Sequence, residues 1–369
     1  MRIVLASILK PVDDTRMYEK LAQSIAETNK YEINIIGFRS KVPLNHSSIR
    51  SFPLFDLQRS GLKRIFAPFH FLKKVIKLKP ALLIIGTYEL LPAACFYKTF
   101  FRAKIIYDVR EDYKQNILTQ NSLPQWSRHL AATLVRLVEH CAQPWIDHHL
   151  LAEKVYLHLP FVKQNHTILE NKFGLDLDKL PVRQNKDRLR FIYSGTIARS
   201  FGIFEALELF EKLHAIHPSV ELEIVGYAAD KKVLDDLKGR IFDKPHIRLV
   251  GGPHLVPHQT IIHHLAQADF GLVAYRKEPN IINRFPTKIF EYLALGLPMI
   301  LQNHEAWVDF CQESEAAIAI DYQDYDVATI WEQINQKKYY PQGPPAKAYW
   351  SQEGILLRDL VGKLLLKSR

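Results

Sequence analysis

Short apolar runs alternate with longer segments of helical periodicity along the whole chain. Ile3–Ile8 reads as a first strand, and Arg16–Glu27 as a helix that Asp13, Asp14 or Thr15 can cap. Tyr31–Phe38, Ala81–Gly86 and Lys104–Asp108 read as three further strands, the last two each following a helical or basic segment. A second series opens near Leu189. Its strands are Arg190–Ser194 ending at Gly195, Glu221–Val225 ending at Gly226, Ile247–Val250 ending at Gly251-Gly252, and Phe270–Tyr275. Its helices are Phe204–His217, with Phe204, Leu207, Phe210 and Leu213 at three-residue spacing, then Asp230–Arg240 and Thr260–Gln267. Buried strands separated by helices are the pattern of parallel βαβ units.

The fold class is therefore α/β, with two parallel-sheet halves and a polar, charged join at Pro181–Arg188. The expected domains are residues 1–183, 184–345 and a tail at 346–369, helical over Ser351–Lys367 after the Pro/Gly-rich Pro341–Pro345. A chain of 369 residues accommodates two such domains. Its 47% hydrophobic and 24% charged content is that of a globular protein. Cys95, Cys141 and Cys311 lie far apart, which suits no disulfide framework or paired-cysteine zinc site and fits a reducing compartment. The apolar run at the N-terminus is short and soon followed by acids, so it reads as a strand rather than an export signal. No apolar run approaches the roughly 20 residues that span a bilayer. A cytoplasmic protein is expected.

The segment Phe285–Leu301 concentrates the chemistry. Pro286 and Thr287 suit a first helical turn, the threonine hydroxyl as a cap, while Gly296 suits a left-handed stop and Pro298 prevents continuation. Lys288, Glu291, Tyr292 and Leu295 share one face. A lysine in the first turn of a helix is placed to hold phosphate, and a carboxylate one turn later to accept from sugar or ribose hydroxyls. The same spacing also describes an ordinary surface Lys–Glu pair. In open parallel sheets, ligands sit beyond the carboxyl ends of the strands. Those ends are Ser194-Gly195-Thr196, Gly226-Tyr227, Gly251-Gly252-Pro253 and Tyr275-Arg276.

Charge narrows the partner. A formal net charge of +10 fits an anionic one, and no basic-aromatic run resembles a nucleic-acid module. With this layout the chain resembles the family-4 retaining glycosyltransferases of the GT-B fold. The pieces are Tyr193-Ser-Gly-Thr196, Glu223-Ile-Val-Gly226, Ile247-Arg-Leu-Val-Gly251, Ala266-Gln-Ala-Asp-Phe-Gly271 and Pro286-Thr-Lys-Ile-Phe-Glu-Tyr-Leu-Ala-Leu-Gly-Leu-Pro298, with Ile106-Tyr-Asp-Val-Arg-Glu-Asp112 in the first half. Their order and spacing together are specific.

The resemblance implies two Rossmann-like domains facing across a cleft, with a final helix returning to the first. The second domain would hold a nucleotide-diphosphate sugar as donor substrate, with no separate cofactor, and the first a glycan or lipid-linked acceptor. Glu291 matches the family's second glutamate, which binds ribose. The first falls on Asn283, an uncharged departure for which Glu278 is a candidate substitute. The family's Gly-Arg and Lys-Gly pair is also altered: Thr196 follows Gly195, and Phe201 precedes Gly202. Arg199 is then the nearest cation, so Lys288, Arg199 and the amides around Thr287 are assigned to the departing diphosphate. Gly195, Thr196, Gly226, Tyr275 and His254, the last beside the base, complete the donor site. Asp108, Arg110 and Glu111 would face the acceptor, with Asn171 near the cleft.

A metal role is not expected. His254, His258, His263 and His264 cluster, but Pro257 is read as interrupting any helix there, and Asp176-Leu-Asp178 and Asp324-Tyr-Asp326 read as loop acids. Residues 59–79 carry Arg59, Lys63, Arg64, Lys73, Lys74, Lys77 and Lys79 and no acid, interleaved with Phe66, Phe69 and Phe71. They read as a Rossmann helix packing Phe69 and Leu72 on the sheet with lysines in water, as a peripheral contact with an anionic membrane, or as both. Two further readings stand: a nucleotide-sugar epimerase of the related two-domain fold, and a non-catalytic nucleotide-sugar-binding scaffold, which Asn283 and the altered Gly-Arg/Lys-Gly pair keep open. The sugar, the base, the acceptor and the oligomeric state are not legible.

Overall fold

The computed structural model describes residues 1–40, 46–55, 64–119, 124–162, 165–175, 177, 180, 188–278, 281 and 283–366. Arg59, Lys63, Asp176, Asp178, the join at 181–187 with the expected boundary at 183/184, and Lys367 lie outside them. The chain divides into two compact units, Met1–Gly174 with Trp350–Arg369, and Leu175–Tyr349.

The first unit is built on a seven-stranded parallel sheet of order β3-β2-β1-β4-β5-β6-β7. Its strands are β1 Arg2–Pro11, β2 Glu32–Phe38, β3 Ile49–Phe55, β4 Leu82–Ile85, β5 Lys104–Val109, β6 His148–Leu151 and β7 His166–Ile168. Alternate residues of β1 feed two cores. Val4 and Ala6 join Phe71, Val75, Ala94 and Tyr97 from α2 (Ala67–Leu78) and α3 (Leu91–Phe101). Ile3 and Leu5 join Met17, Leu21 and Ile25 on the other side. Those three come from a π-helical segment, Thr15–Ala22, running into α1 (Gln23–Ala26). Helices α4 (Tyr113–Thr119) and α5 (Gln125–Ala142) lead to β6.

Three of these strands carry no clear periodicity. Edge strand β3 contains Pro53, whose missing N–H an edge tolerates. β6 and β7 have four and three residues. The expected helix Arg16–Glu27 is wider-wound at its start than an α-helix. Asp14 caps it through Met17 N–H, and Arg16 and Lys20 are both buried toward the chain at Leu169–Asn171.

The second unit has a six-stranded parallel sheet, order β10-β9-β8-β11-β12-β13. The strands are β8 Arg190–Thr196, β9 Glu221–Tyr227, β10 Ile247–Gly252, β11 Phe270–Val273, β12 Met299–Gln302 and β13 Ala317–Ile320. The helices are α6 Ile203–Ile216, α7 Lys231–Ile241, α8 His258–Leu265, α9 Thr287–Ala294, α10 Glu305–Gln312 and α11 Val327–Gln336. Leu207, Phe210 and Leu213 of α6 pack on Phe191, Leu222 and Leu272. Pro257 does not interrupt α8; it stands at the N-cap, where its lack of an N–H costs nothing.

The last helix, α12 (Ser351–Leu366), belongs to the first unit. Leu357 and Val361 enter the core of Met17 and Ile25, and Trp350 Nε1 donates to Ser24 Oγ at 2.8 Å.

Candidate functional site

The second unit gathers its chemistry where α9 meets the carboxyl end of β8. The helix stops as a Schellman turn: Leu297 N–H bonds Tyr292 O at 2.9 Å, Gly296 N–H bonds Leu293 O at 3.2 Å, and Gly296 has φ +63°. Its start differs from expectation. Pro286 occupies the N-cap, Thr287 is exposed, and no side chain caps the first amides, because the hydroxyl lies one residue past the capping position.

Lys288 is 5% exposed. Its Nζ donates to Ser194 O at 2.7 Å and lies 4.5 Å from the Tyr193 ring centre and 5.0 Å from that of Tyr275. Burial pushes its ammonium down to about 7, against the pull of Glu291. The aromatic walls are braced. Tyr193 OH donates to Thr196 O and Phe201 O, each at 3.1 Å, and Tyr275 stacks on Phe201 at 4.9 Å. Tyr292 bonds Ser194 Oγ at 2.9 Å, and it lies so close to β11 that a Cβ on Gly271 would come within 2.2 Å of its ring.

Beside Lys288 the strand end is bare. Gly195 has φ +92°, with open space where a side chain would stand. A Cβ on Gly226 would sit 1.7 Å from Gly195 O, so the two strand ends approach as only glycine permits. One turn along α9, Glu291 Oε1 meets His258 Nε2 at 3.0 Å, both largely buried. Cation, bare backbone and carboxylate thus share the carboxyl end of one sheet, where parallel sheets bind ligands.

Among the described residues the Lys288 ammonium makes no hydrogen bond or ion pair with the other expected donor residues. Arg199 pairs with Asp236 of α7 and lies 4.6 Å over the Phe204 ring. Asn283 is exposed in the turn before α9, and His254 and Thr196 are also exposed. Glu278 is half-buried, its N–H on Arg276 O. Of the remaining candidate ligands, His264 bonds Glu223 at 2.8 Å and Asp326 caps α11. Among the described residues no three His, Cys, Asp or Glu side chains are grouped to hold a metal.

In the first unit the expected acceptor residues are engaged with one another. Asp108 is fully buried at the end of β5. It accepts from Arg16 Nη2 at 2.7 Å, Arg16 Nε at 2.9 Å and Arg110 Nε at 2.6 Å. Arg110 Nη1 also donates to Asp14 at 2.9 Å, and Arg16 Nη1 to Leu169 O and Asn171 Oδ1 at 2.7 and 2.8 Å. Burial raises Asp108, but Arg16 and Arg110 outweigh it and hold the carboxyl below its usual range; burial likewise raises Asp14, and Arg110 and Lys10 outweigh it there. Glu111 accepts from Asn116 at 2.8 Å.

Residues 178–336 match the family model described as glycosyl transferases group 1. The match covers the strands, Lys288 and Glu291 just described. No curated protein sequence matches the chain. Among solved structures, sucrose-phosphate synthase from Thermosynechococcus elongatus has a TM-score of 0.72 at 14% identity, covering 99% of both chains. Anabaena HepE in complex with UDP-glucose has a TM-score of 0.67 at 12% identity, covering all of both. A putative UDP-N-acetylglucosamine 2-epimerase from Listeria monocytogenes scores 0.60 at 10% identity, covering 98% and 95%. At these identities the likeness is one of fold. The chain has the GT-B fold of two Rossmann-like parallel-sheet domains.

In this GT-B chain, sequence reasoning missed Arg16, and it weighed His258 only as a metal ligand and not as the partner of Glu291. Arg16 pairs with a carboxylate 92 positions away and His258 with one 33 away. Periodicity carries no information about such pairings. Two signals existed: a cation in the first turn after β1, and a histidine opening α8, whose preceding strand ends at Gly252 beside the end of β9.

Proposed function

We propose that this protein is a retaining, metal-independent glycosyltransferase that moves a sugar from a nucleotide-diphosphate sugar to a glycan or lipid-linked acceptor in surface polysaccharide synthesis. The observation that carries the reading is the buried Lys288 ammonium on Ser194 O, beside the open Gly195 and one turn before Glu291. In the reaction the bond from the anomeric carbon to the diphosphate oxygen breaks. A bond to the acceptor oxygen forms, and the acceptor proton leaves with the diphosphate. Negative charge grows on the departing oxygen, where a fixed cation and unbonded amides stabilise it most. Lys288 and the first amides of α9 would meet that charge, with Glu291, steadied by His258, receiving ribose hydroxyls. The group 1 match over these residues supports glycosyl transfer, and the solved GT-B relative holding UDP-glucose supports a nucleotide-sugar donor.

Asp108 and Arg110 enter the reading differently from the sequence expectation. Asp108 is held by Arg16 and Arg110, and Arg110 by Asp108 and Asp14, all within the first unit, so both also shape the end of the first sheet.

The test is calorimetric titration of wild type and Lys288→Ala with UDP-, GDP-, CMP- and dTDP-sugars. One donor should saturate the wild type, and the substitution should weaken it. Failure of every donor to bind at millimolar concentration, with acceptor analogues present, would sink the donor-site assignment. A second reading, a non-catalytic nucleotide-sugar-binding scaffold, is favoured by the exposed, uncharged Asn283. Binding without turnover would select it, and C2 inversion of the free donor would select an epimerase.

A further inference from the structure

The helices covering one face of the first sheet have an outer surface that is apolar where a water-facing layer is ordinarily polar. Trp126, Leu130, Leu134 and Leu137 of α5 recur every three or four residues as one stripe, with Trp126 82% exposed, while Ala132, Val135 and Ala142 turn inward. The neighbouring α3 adds Phe100 at 65% exposed, and α2, packed against α3, adds Phe69 at 68%. Exposed apolar side chains gathered on adjacent helices in this way mark an interaction site.

Charge decides what covers it. Lys73, Lys77, Lys79 and Arg102 of the same layer are exposed, and none makes an ion pair among the described residues. The nearby acids are already taken: Glu89 by Arg64, Asp147 by Lys98 and Lys104, and the buried Glu139 by Arg136 and Tyr107. The layer therefore presents uncompensated positive charge around an aromatic and leucine surface. A second copy of the chain would bring like charges together, and a nucleic acid offers nothing for a leucine stripe. An anionic bilayer accepts both features, with rings and leucines at the headgroup boundary and cations among the phosphates.

We propose that the outer face of α2, α3 and α5 docks on an anionic phospholipid surface. The contact is peripheral, since no described helix is long and apolar enough to cross a membrane. It joins the α2 lysines of the basic segment at 59–79 to the apolar stripe of α5 and the exposed aromatics of α3, and it does not depend on the donor chemistry.

The experiment is flotation of the full chain with phosphatidylglycerol-containing vesicles and with phosphatidylcholine vesicles. It compares wild type, Leu130→Gln/Leu134→Gln and Lys73→Gln/Lys77→Gln. These side chains are exposed, so circular dichroism should show each variant folded. Wild type should float with the anionic vesicles only, and each double variant should lose about tenfold in partition. Equal flotation with both lipids, or variants that float like wild type, would overturn the proposal. So would a wild-type dimer in light scattering that the leucine variant converts to monomer, which would give the face to a second copy. Nucleotide-sugar titration of the leucine variant should match wild type, so this proposal and the donor assignment can fail separately.

Discussion

At the carboxyl end of the first sheet Asp108 lies between two guanidiniums; at that of the second the Lys288 ammonium lies on a carbonyl and two aromatic rings. Both groups are buried, but burial is answered differently. Asp108 has opposite charges in contact, and its pKa falls. Lys288 has a neutral acceptor and a more distant carboxylate, and its pKa is pushed down to about 7. A buried charge whose partners are all supplied by the protein is architecture. One left short of counter-charge is suited to an anion from solution.

The contrast breaks most visibly in the first unit. Arg16→Ala removes two guanidinium contacts from a fully buried carboxylate and the donors to Leu169 O and Asn171. Breaking one side of a buried pair costs about 3–5 kcal/mol, so the urea midpoint should drop by that equivalent. Asp108 and Asp14 are both depressed in the folded state, so their contribution is full above the ordinary carboxylate range and lost as pH falls through the lowered values. Wild type should thus lose stability in acid, and the loss should be smaller in Arg16→Ala. A variant as stable as wild type, with its donor affinity reduced instead, would make Arg16 part of a ligand site.

Lys288 should respond in the opposite sense. Its folded pKa of about 7 lies below the ordinary 10.5, so the unfolded chain holds a proton that the folded chain has lost between those values. Stability linked to this group therefore rises with pH across that window, and the burial penalty is complete below about 7. Lys288→Met should be neutral to about 2 kcal/mol more stable in the acid limb, while donor binding is lost. A diphosphate requires the charged form, so above about pH 7 binding takes up a proton, and affinity should fall by up to about tenfold per pH unit. Calorimetry in buffers of different ionisation enthalpy reads that uptake directly. Affinity flat from neutral to alkaline pH would separate Lys288 from the phosphate.

The two sheets were legible because parallel strands are buried on both faces, and runs such as Leu82–Ile85 and Ile3–Ile8 leave little alternative. The Lys288 helix was legible because its stop is written locally, in Gly296 and Pro298. What stayed hidden is non-local. That Asp108 is enclosed by Arg16 and Arg110 depends on β1 and β5 flanking β4, and that Glu291 leans on His258 depends on a residue of another helix, 33 positions away, reaching it. Edge strands β3 and β7 were hidden for another reason: an edge asks less of its residues, and Pro53 or a three-residue strand satisfies it.

Arg199 is where the comparison can be sharpened at the smallest scale. It is half exposed, pairs with Asp236, and lies over Phe204, so it is neither architecture like Arg16 nor an uncompensated charge like Lys288. As a surface pair its removal should cost less than about 1 kcal/mol. If the guanidinium leaves Asp236 to join the diphosphate, Arg199→Ala should lower donor affinity while the thermal midpoint barely moves. Arg199→Lys should then restore part of the affinity, because a point charge can still approach phosphate without the bidentate fork. If affinity and midpoint are both unchanged, the cation work at this strand end falls to Lys288 and the backbone amides. The altered Gly-Arg/Lys-Gly pair would then mark a diphosphate site that relies on one buried lysine.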